Sequence, residues 1–329
     1  MRYLRVSLTD RCNYRCTYCM PPEGVPVDPR HAVLSLEEVE RVCAAFARWG
    51  VRRVRLTGGE PTLRRGLVEL VAGLRRLPVE GGPERLEVVM TTNAERLAAM
   101  ASELAAAGLG GLTVSLDTLD AQRFTAITRR GDLARVLDGV EAARQAGLAP
   151  IKLNTVAIAG FNDDELAAIA RYAWARDMVP RFIELMPMAG GALFVPGELM
   201  VAAEIRAAIE QGVGAELVPD EGDGIRGFGP ARYWRVARGP FAGRKLGTIA
   251  PMSENFCSDC NRLRISVTGR LHACLARDET GDLRAALRSG DPARVEDVVR
   301  AVLGTKQDGH GFHMDGTGGP NKAMISIGG

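Results

Sequence analysis

The chain has 329 residues, of which 46% are hydrophobic and 25% are charged. This composition is typical of globular proteins and excludes disordered and collagen-like chains, and the length predicts about two domains. The formal net charge of +2 argues against a long nucleic-acid-binding surface. No apolar run is long enough for a membrane span, and the first residues lack the apolar core of a signal peptide. We therefore expect a cytoplasmic protein that binds neither nucleic acid nor membrane.

Short apolar runs alternate with helical patterns through the first 190 residues. Ser35 and Glu38 have the spacing of a capping box at the start of the first helix, and Gly50 ends that helix. A later helix is expected to begin at Asn162, because an acidic first turn suits the helix dipole. The predicted strands are 3–8, 51–56, 86–91, 112–116, 151–156 and 181–185.

Six strand–helix units in series predict an α/β fold with a parallel sheet, either an open doubly wound sheet or a partial barrel. Polar, glycine-rich or cysteine-rich segments follow successive strands, which favours one rim of a barrel. We therefore expect an incomplete six-stranded (β/α)6 TIM-type barrel over residues 1–190.

The pattern then changes, with a strand at 233–237 and helices at about 281–289 and 292–303. Residues 191–329 are expected to form a smaller domain that closes the open side of the barrel.

Six of the seven cysteines form two groups, and Cys43 is expected to be a buried apolar residue. Such clustering in a cytoplasmic chain predicts metal or cluster ligands rather than disulfides. The first group has no fourth cysteine or histidine nearby, although a structural zinc site normally requires four ligands. Three thiolates suit an iron–sulfur cluster that keeps one iron open. This group has the pattern CxxxCxxC and comprises Cys12, Cys16 and Cys19.

The second group, Cys257, Cys260 and Cys274, has the spacing CxxC-x13-C. His272 could complete a Cys3His zinc site, so the spacing by itself leaves zinc as an alternative.

Two pairs of arginines have strand spacing. Arg53 and Arg55 lie two apart on a predicted strand and so share a face, and Arg262 and Arg264 repeat this spacing. Charged side chains that point into a barrel need a counter-ion, so the two arginine pairs predict an anionic ligand. The alternative is that both arginine pairs face solvent. The chain has no GxxxxGK[ST] phosphate-binding loop.

The CxxxCxxC motif, with an aromatic residue before its third cysteine, resembles that of the radical S-adenosylmethionine (SAM) superfamily. The flanking segments narrow the resemblance: LRVSLTDRCN at 4–13, LTGGEP at 56–61, TTN at 91–93, VSLD at 114–117 and CSDCNRLR at 257–264. Together they resemble the GTP 3′,8-cyclase family, also called the molybdenum cofactor biosynthesis protein A family. The resemblance extends from residue 3 to residue 329.

The resemblance implies two [4Fe–4S] clusters, one on each cysteine group, with SAM bound to the first and the guanine of GTP bound to the second. The implied SAM-binding residues are Tyr18, Gly58, Gly59, Glu60, Ser115 and Met186. The implied GTP-binding residues are Arg5, Arg53, Arg55, Thr91, Lys152, Arg181, Arg262 and Arg264. The final Gly328 and Gly329 are expected to reach the active-site cavity and act in catalysis. Ala94 departs from the family, which often has glycine there, so the turn after the third strand is expected to be less relaxed.

The implied reaction is the first step of molybdenum cofactor biosynthesis. A 5′-deoxyadenosyl radical removes the ribose 3′-hydrogen of GTP, and the product is (8S)-3′,8-cyclo-7,8-dihydroguanosine 5′-triphosphate. The implied partners are a reductant protein, a downstream cyclic pyranopterin monophosphate synthase and a second copy of the chain in a homodimer. Two alternatives are a two-cluster peptide-modifying maturase of the same superfamily and a non-enzymatic zinc-ribbon module on a barrel scaffold.

Overall fold

The structure is a computed structural model that describes residues 1–82, 84–220 and 229–327. These residues form nine α-helices and one twelve-stranded sheet. The strands are β1 (Tyr3–Ser7), β2 (Arg53–Thr57), β3 (Glu87–Thr92), β4 (Leu112–Ser115), β5 (Ile151–Ala157), β6 (Val179–Glu184), β7 (Leu217–Pro219), β8 (Arg232–Val236), β9 (Lys245–Ile249), β10 (Arg262–Ile265), β11 (Arg270–His272) and β12 (Gly281–Asp282). The helices are α1 (Leu36–Arg48), α2 (Leu67–Arg75), α3 (Ala101–Ala106), α4 (Ala121–Thr128), α5 (Leu133–Gln145), α6 (Leu166–Trp174), α7 (Ala202–Val213), α8 (Leu283–Arg288) and α9 (Pro292–Gly304).

The sheet order is β12-β11-β10-β1-β2-β3-β4-β5-β6-β9-β8-β7. The run from β10 through β1–β6 to β9 is parallel, and the outer strands are antiparallel. The predicted α/β fold with a parallel sheet is confirmed. The sequence did not predict that the C-terminal segment adds a parallel strand at each edge of the six, β10 beside β1 and β9 beside β6. Strands from both halves of the chain therefore form one continuous surface.

Alternation along the strands separates an apolar core from a polar inner face. On β1, Leu4 and Val6 belong to the large hydrophobic core, whereas Tyr3 and Arg5 line a cavity on the other face. Side chains of consecutive residues point to opposite faces of a strand, so one short segment serves both purposes. The polar face positions the candidate site.

Two predicted helix starts are confirmed by their caps. Ser35 and Glu38 form the capping box of α1, in which each side chain bonds the backbone N–H of the other residue. Asp291 accepts from the backbone of Ala293 at the start of α9, whose first residue is Pro292. Among the described helices, none has both the length and the apolarity needed to cross a membrane.

The predicted helix start at Asn162 is wrong, because α6 begins at Leu166. The side chain of Asn162 is fully buried and donates to the carbonyl oxygens of Asp117 and Val156 at 2.7 and 2.9 Å. It also accepts from the backbone N–H of Ile158 at 2.9 Å. Asn162 therefore joins the ends of β4 and β5 and belongs to a turn that precedes the helix.

Candidate active site

A single cavity of about 540 Å³ is lined by residues from both halves of the chain. Every predicted site residue that the structure describes lines it: Arg5, Cys12, Cys16, Tyr18, Cys19, Arg53, Arg55, Gly58, Gly59, Glu60, Thr91, Ser115, Lys152, Arg181, Met186, Cys257, Cys260, Arg262, Arg264 and Cys274. Gly328 and Gly329 lie outside the described residues. Residues far apart in the sequence are thus brought to one place by the parallel strand ends.

The first cysteine loop follows β1 and rests on the end of α4. The backbone N–H groups of Arg15 and Thr17 donate to the carbonyl oxygens of Thr128 and Ile127 at 2.9 and 3.0 Å. The guanidinium of Arg129 donates to the carbonyl oxygens of Arg15 and Met20, which flank Cys16 and Cys19. These contacts fix the loop from both ends and hold its three thiols toward the cavity.

The glycines after β2 allow this loop to approach closely. A Cβ atom on Gly59 would lie 2.2 Å from the carbonyl oxygen of Arg11, and one on Gly58 would lie 2.7 Å from that of Thr9. Gly58 also has a φ of 147°, which disfavours other residues. The resemblance to the family implies that both glycines belong to the SAM-binding site. The structure gives them a second role, since they pack the end of β2 against the cysteine loop.

Glu60 is buried and already holds several donors. Its carboxylate accepts from the backbone and hydroxyl of Thr62, the hydroxyl of Thr92 and the backbone of Asn93, at 2.7–3.0 Å. Burial raises the pKa of Glu60, and these hydrogen bonds oppose that shift. Glu60 therefore fixes the end of β3 as well as facing the cavity.

Tyr18 and Asp117 form a hydrogen-bonded pair beside the first cysteine group. The hydroxyl of Tyr18 donates to Asp117 at 2.7 Å, and the other carboxylate oxygen accepts from the backbone of Val156. Burial raises the pKa of Asp117 to about 6 against the effect of these two bonds. Asp117 holds the Tyr18 ring in place and lines the cavity, although the sequence analysis gave it no role.

The second cysteine loop is held by Lys306, which follows α9. Its ammonium lies 3.4 Å from the sulfur of Cys260 and donates to the carbonyl oxygens of Arg262 and Ala273 at 3.1 and 2.9 Å. These partners lie at the beginning of β10 and after β11, next to Cys260 and Cys274. Lys306 therefore ties together the two segments that carry the second group, a role that the sequence analysis missed.

His272 does not line the cavity with the second cysteine group. Its Nδ1 is 2.9 Å from the ammonium of Lys322, and burial together with that ammonium lowers the pKa of His272 to about 3. Within the described part of the chain, no group of three or more His, Cys, Asp or Glu side chains is arranged to hold a single metal ion.

The donor set in each group fits a [4Fe–4S] cluster, because three thiols face one cavity from a well-anchored loop. Burial raises the pKa of Cys12 to about 11 and that of Cys19 to about 12. At Cys260 burial also raises the pKa, but the charges of Arg262 and Lys306 outweigh it and lower the pKa to about 7. Cluster binding at the first loop must therefore displace protons, whereas the second loop carries positive charge beside its thiols.

Positive side chains form two registered rows on the inner face of β10, β1 and β2. Arg262, Tyr3 and Arg53 are opposite one another in one row, and Arg264, Arg5 and Arg55 form the next. Lys152 on β5 and Arg181 on β6 add charge across the cavity. The predicted shared faces of the two arginine pairs are confirmed, and both pairs face the cavity rather than solvent.

Burial and the neighbouring positive charges disfavour the charged form of several of these cations. Burial lowers the pKa of Arg264 to about 10, with Arg262 adding to the shift, and burial with Arg181 lowers the pKa of Lys152 to about 8. Arg55 is held by the hydroxyls of Thr91 and Thr113, both at 2.9 Å. A polyanionic ligand would relieve the mutual repulsion of these groups.

Tyr3 and Glu184 also line the cavity, and the sequence analysis did not single them out. Tyr3 lies between Arg53 and Arg262 and accepts from the Nε of Arg55. Glu184 is fully buried and accepts from the backbone N–H groups of Ala202 and Ser253 at 2.8 and 3.0 Å. The alternation of β1 could have identified Tyr3, because it is two residues from Arg5. No local signal could have linked Glu184 to its partners.

The described part of the C-terminal tail reaches the first cysteine group. The backbone N–H of Ile325 hydrogen-bonds Cys19, and Ile325 lines the cavity. Lys322 anchors the same segment through the carbonyl oxygen of Arg277 at 2.7 Å.

Comparisons with known proteins agree with this arrangement. Residues 6–173 match the Radical SAM superfamily, and residues 178–312 match the family described as Molybdenum Cofactor Synthesis C. A GTP 3′,8-cyclase of Mesorhizobium japonicum is 44% identical, with 95% of this chain and 91% of that protein covered. A GTP 3′,8-cyclase of Pelotomaculum thermopropionicum is 44% identical, with 100% and 98% covered. In fold, the chain is similar to Streptococcus suis SuiB bound to S-adenosylmethionine, with a TM-score of 0.51 and 17% identity over 64% of this chain and 46% of that one. The chain belongs to the GTP 3′,8-cyclase family of the radical SAM superfamily.

Proposed function

We propose that this protein carries out the reaction for which its relatives are named, the 3′,8-cyclisation of GTP, as the first step of molybdenum cofactor biosynthesis. The observation that carries the proposal is the single cavity that joins two three-cysteine groups to two rows of arginines. A nucleoside triphosphate supplies both the negative charge that the rows require and a base that extends away from them.

The cofactors of the proposed reaction are two [4Fe–4S] clusters and SAM. Cys12, Cys16 and Cys19 would hold the first cluster, and Cys257, Cys260 and Cys274 the second. The first cluster, when bound, supplies one electron for the reductive cleavage of SAM. Tyr18, Gly58, Gly59, Glu60, Ser115 and Met186 would surround SAM, and the buried walls of the cavity would keep water from the reacting atoms.

The GTP-binding residues of the proposal share one face of the sheet and would hold the phosphates by charge-assisted hydrogen bonds. They are Arg5, Arg53, Arg55, Thr91, Lys152, Arg181, Arg262 and Arg264. Thr91 would act through Arg55, whose guanidinium it already holds. Gly328 and Gly329 keep their proposed catalytic role at the end of the tail, and the contact of Ile325 with Cys19 supports a tail that leads into the cavity.

A matched pair of substitutions tests the two-cluster proposal. We expect Cys12→Ala to abolish SAM cleavage, because the first cluster loses a ligand. Cys274→Ala should still cleave SAM in the absence of GTP but should lose cyclisation of GTP. Normal turnover of GTP by Cys274→Ala would overturn the second-cluster assignment. Iron and acid-labile sulfide analysis of the wild type is the companion measurement, since a colourless protein with zinc would instead support the zinc-ribbon alternative.

The peptide-modifying maturase is the second candidate, and the likeness to SuiB concerns the fold alone. The rows of arginines that line the cavity favour a phosphorylated substrate, because a peptide backbone offers no matching negative charge. GTP binding to the cluster-loaded protein by calorimetry separates the two candidates.

We propose a domain division at about residue 190, with a radical SAM partial barrel over 1–190 and a second-cluster and GTP-binding domain over 191–329. The change from parallel β/α units to mainly antiparallel strands after β6 supports it. Because β9 and β10 join the sheet of the first domain, we expect limited proteolysis near residue 190 to leave the two fragments associated during gel filtration.

The remaining proposals concern partners and location. We propose a reductant protein as the electron source, consumption of the product by a cyclic pyranopterin monophosphate synthase, a homodimer and a cytoplasmic location. The resemblance to the family supports the first three, and the sequence analysis supports the expected location. Sedimentation analysis tests the dimer, and a monomer at micromolar concentration would contradict it.

A further inference from the structure

Tyr3 occupies an unusual position, in the centre of the arginine rows. It is 3% exposed and lines the cavity. On β1 it has Arg53 opposite on β2 and Arg262 opposite on β10. Neighbouring strands are about 5 Å apart, so the side chains of Arg53 and Arg262 lie beside the tyrosine ring.

The hydroxyl of Tyr3 accepts from the Nε of Arg55. Among the described residues, further charges that act on Tyr3 are Arg5 on its own strand, Arg264 on β10, and Lys152 and Arg181 across the cavity, and all four are positive. The cavity faces of β1, β2 and β10 carry no carboxylate. Glu87 on β3 pairs with Arg53 at 2.7 Å at the edge of the row. Tyr3 is therefore the group on these three strands that can become negative.

We propose that Tyr3 is a resident counter-ion of the phosphate-binding arginines: its phenolate neutralises them in the empty cavity, and it takes up a proton from solvent when the phosphates of the substrate replace it. Tyr3 is thus a positioning residue that keeps Arg55 and its neighbours aligned before the substrate binds. The inference rests on the proposed function, which brings a triphosphate to these arginines.

The electrostatics agree with the geometry. Burial alone raises the pKa of Tyr3, but the charges of Arg55, Arg5 and Arg53, with the hydrogen bond from Arg55, outweigh burial and lower the pKa to about 7. An added polyanion cancels part of this positive field, so the phenol regains its proton. Binding of GTP at a pH above 7 is then coupled to proton uptake.

Calorimetry measures this uptake directly. GTP is titrated into the cluster-loaded enzyme without SAM or reductant, in buffers that differ in their enthalpy of ionisation. We expect the wild type to take up protons at pH values between about 7 and 9, and its Kd to rise by up to about tenfold per pH unit for each proton taken up. Tyr3→Phe should take up fewer protons on GTP binding, because it lacks the phenol that is protonated in the wild type. Its Kd should therefore depend less steeply on pH. Lys152 also gains a proton when GTP binds, and the variant should keep this part of the proton uptake.

Tyr172→Phe is the control, because Tyr172 lies on α6 outside the cavity lining. It should keep the proton uptake of the wild type. Equal uptake by Tyr3→Phe and the wild type would overturn the inference while leaving the proposed function intact. No binding of GTP to the loaded wild type would instead overturn the proposed function.

Ultraviolet resonance Raman spectroscopy of the wild type provides a test that needs no variant. Tyrosinate bands should be present in the nucleotide-free enzyme and should weaken when GTP is added. Spectra without tyrosinate bands before GTP addition, at a pH above 8, would contradict the inference even if Tyr3→Phe did not fold.

Discussion

Replacement of Lys152 by methionine should move stability and substrate binding in opposite directions. Lys152 lies on β5, between Thr113 and Val179 in register, and its ammonium faces the cavity. Burial, followed by the charges of Arg181 and Arg55, lowers its pKa from 10.5 to about 8. The ammonium is therefore less favourable in the folded chain than in the unfolded chain.

The size of the stability effect follows from this shift. A depression of this size corresponds to a destabilisation on the order of 3 kcal/mol at neutral pH. Because the folded pKa is the lower one, the penalty is fully present below about pH 8 and disappears as the pH rises to 10.5. Partial solvent access reduces it, so we expect Lys152→Met to raise the free energy of unfolding of the nucleotide-free protein by about 1–3 kcal/mol.

The same substitution should weaken GTP binding, because it removes a charge-assisted contact worth about 1.5–3 kcal/mol, or roughly 10- to 150-fold in Kd. The assays are urea unfolding, followed by tryptophan fluorescence, and calorimetric titration with GTP. Arg238→Met is the control, since Arg238 is exposed and outside the cavity lining; it should change the free energy of unfolding by less than about 0.5 kcal/mol. A lower urea midpoint for Lys152→Met, or an unchanged Kd, would refute the reasoning.

Three other substitutions test different parts of the site. Gly59→Ala should cost about 1–3 kcal/mol and lower the iron content of the first site, because its Cβ would lie 2.2 Å from a carbonyl oxygen of the cysteine loop. Gly304→Ala has open space around it and should change neither urea midpoint nor iron content; equal behaviour of the two variants would contradict the packing argument. Asn162→Ala should lower the free energy of unfolding by about 1–3 kcal/mol, measured by urea titration, because buried backbone groups lose their partners; an unchanged midpoint would argue against that role. Arg264→Ala should weaken GTP binding in calorimetry by about 1–3 kcal/mol, and an unaltered affinity would remove Arg264 from the phosphate site.

Local patterns predicted the parts of the fold that depend on nearby residues. The alternation of Arg53 and Arg55 placed both side chains on the face that lines the cavity. The capping box at Ser35 fixed the start of α1. Ala94 also follows its prediction, since its φ of 63° lies in the region where glycine is relaxed and alanine is strained.

Features that depend on distant contacts could not be predicted in the same way. The helix expected to begin at Asn162 begins later, because the side chain of Asn162 hydrogen-bonds the ends of two strands instead of capping a helix. Lys306 reaches Cys260 across 46 residues, and no local pattern marks that contact. The pairing of β9 and β10 with the two edges of the first sheet is likewise set by the tertiary fold.

The most direct test of the account follows the hydrogen that leaves the substrate. The reconstituted protein is mixed anaerobically with SAM, dithionite and GTP deuterated at the ribose 3′ position, and 5′-deoxyadenosine is analysed by mass spectrometry. We predict that GTP strongly stimulates the formation of 5′-deoxyadenosine and that the deuterium appears in it. Cleavage of SAM that is indifferent to GTP, with no deuterium transferred, would contradict the central claim that this cavity acts on GTP.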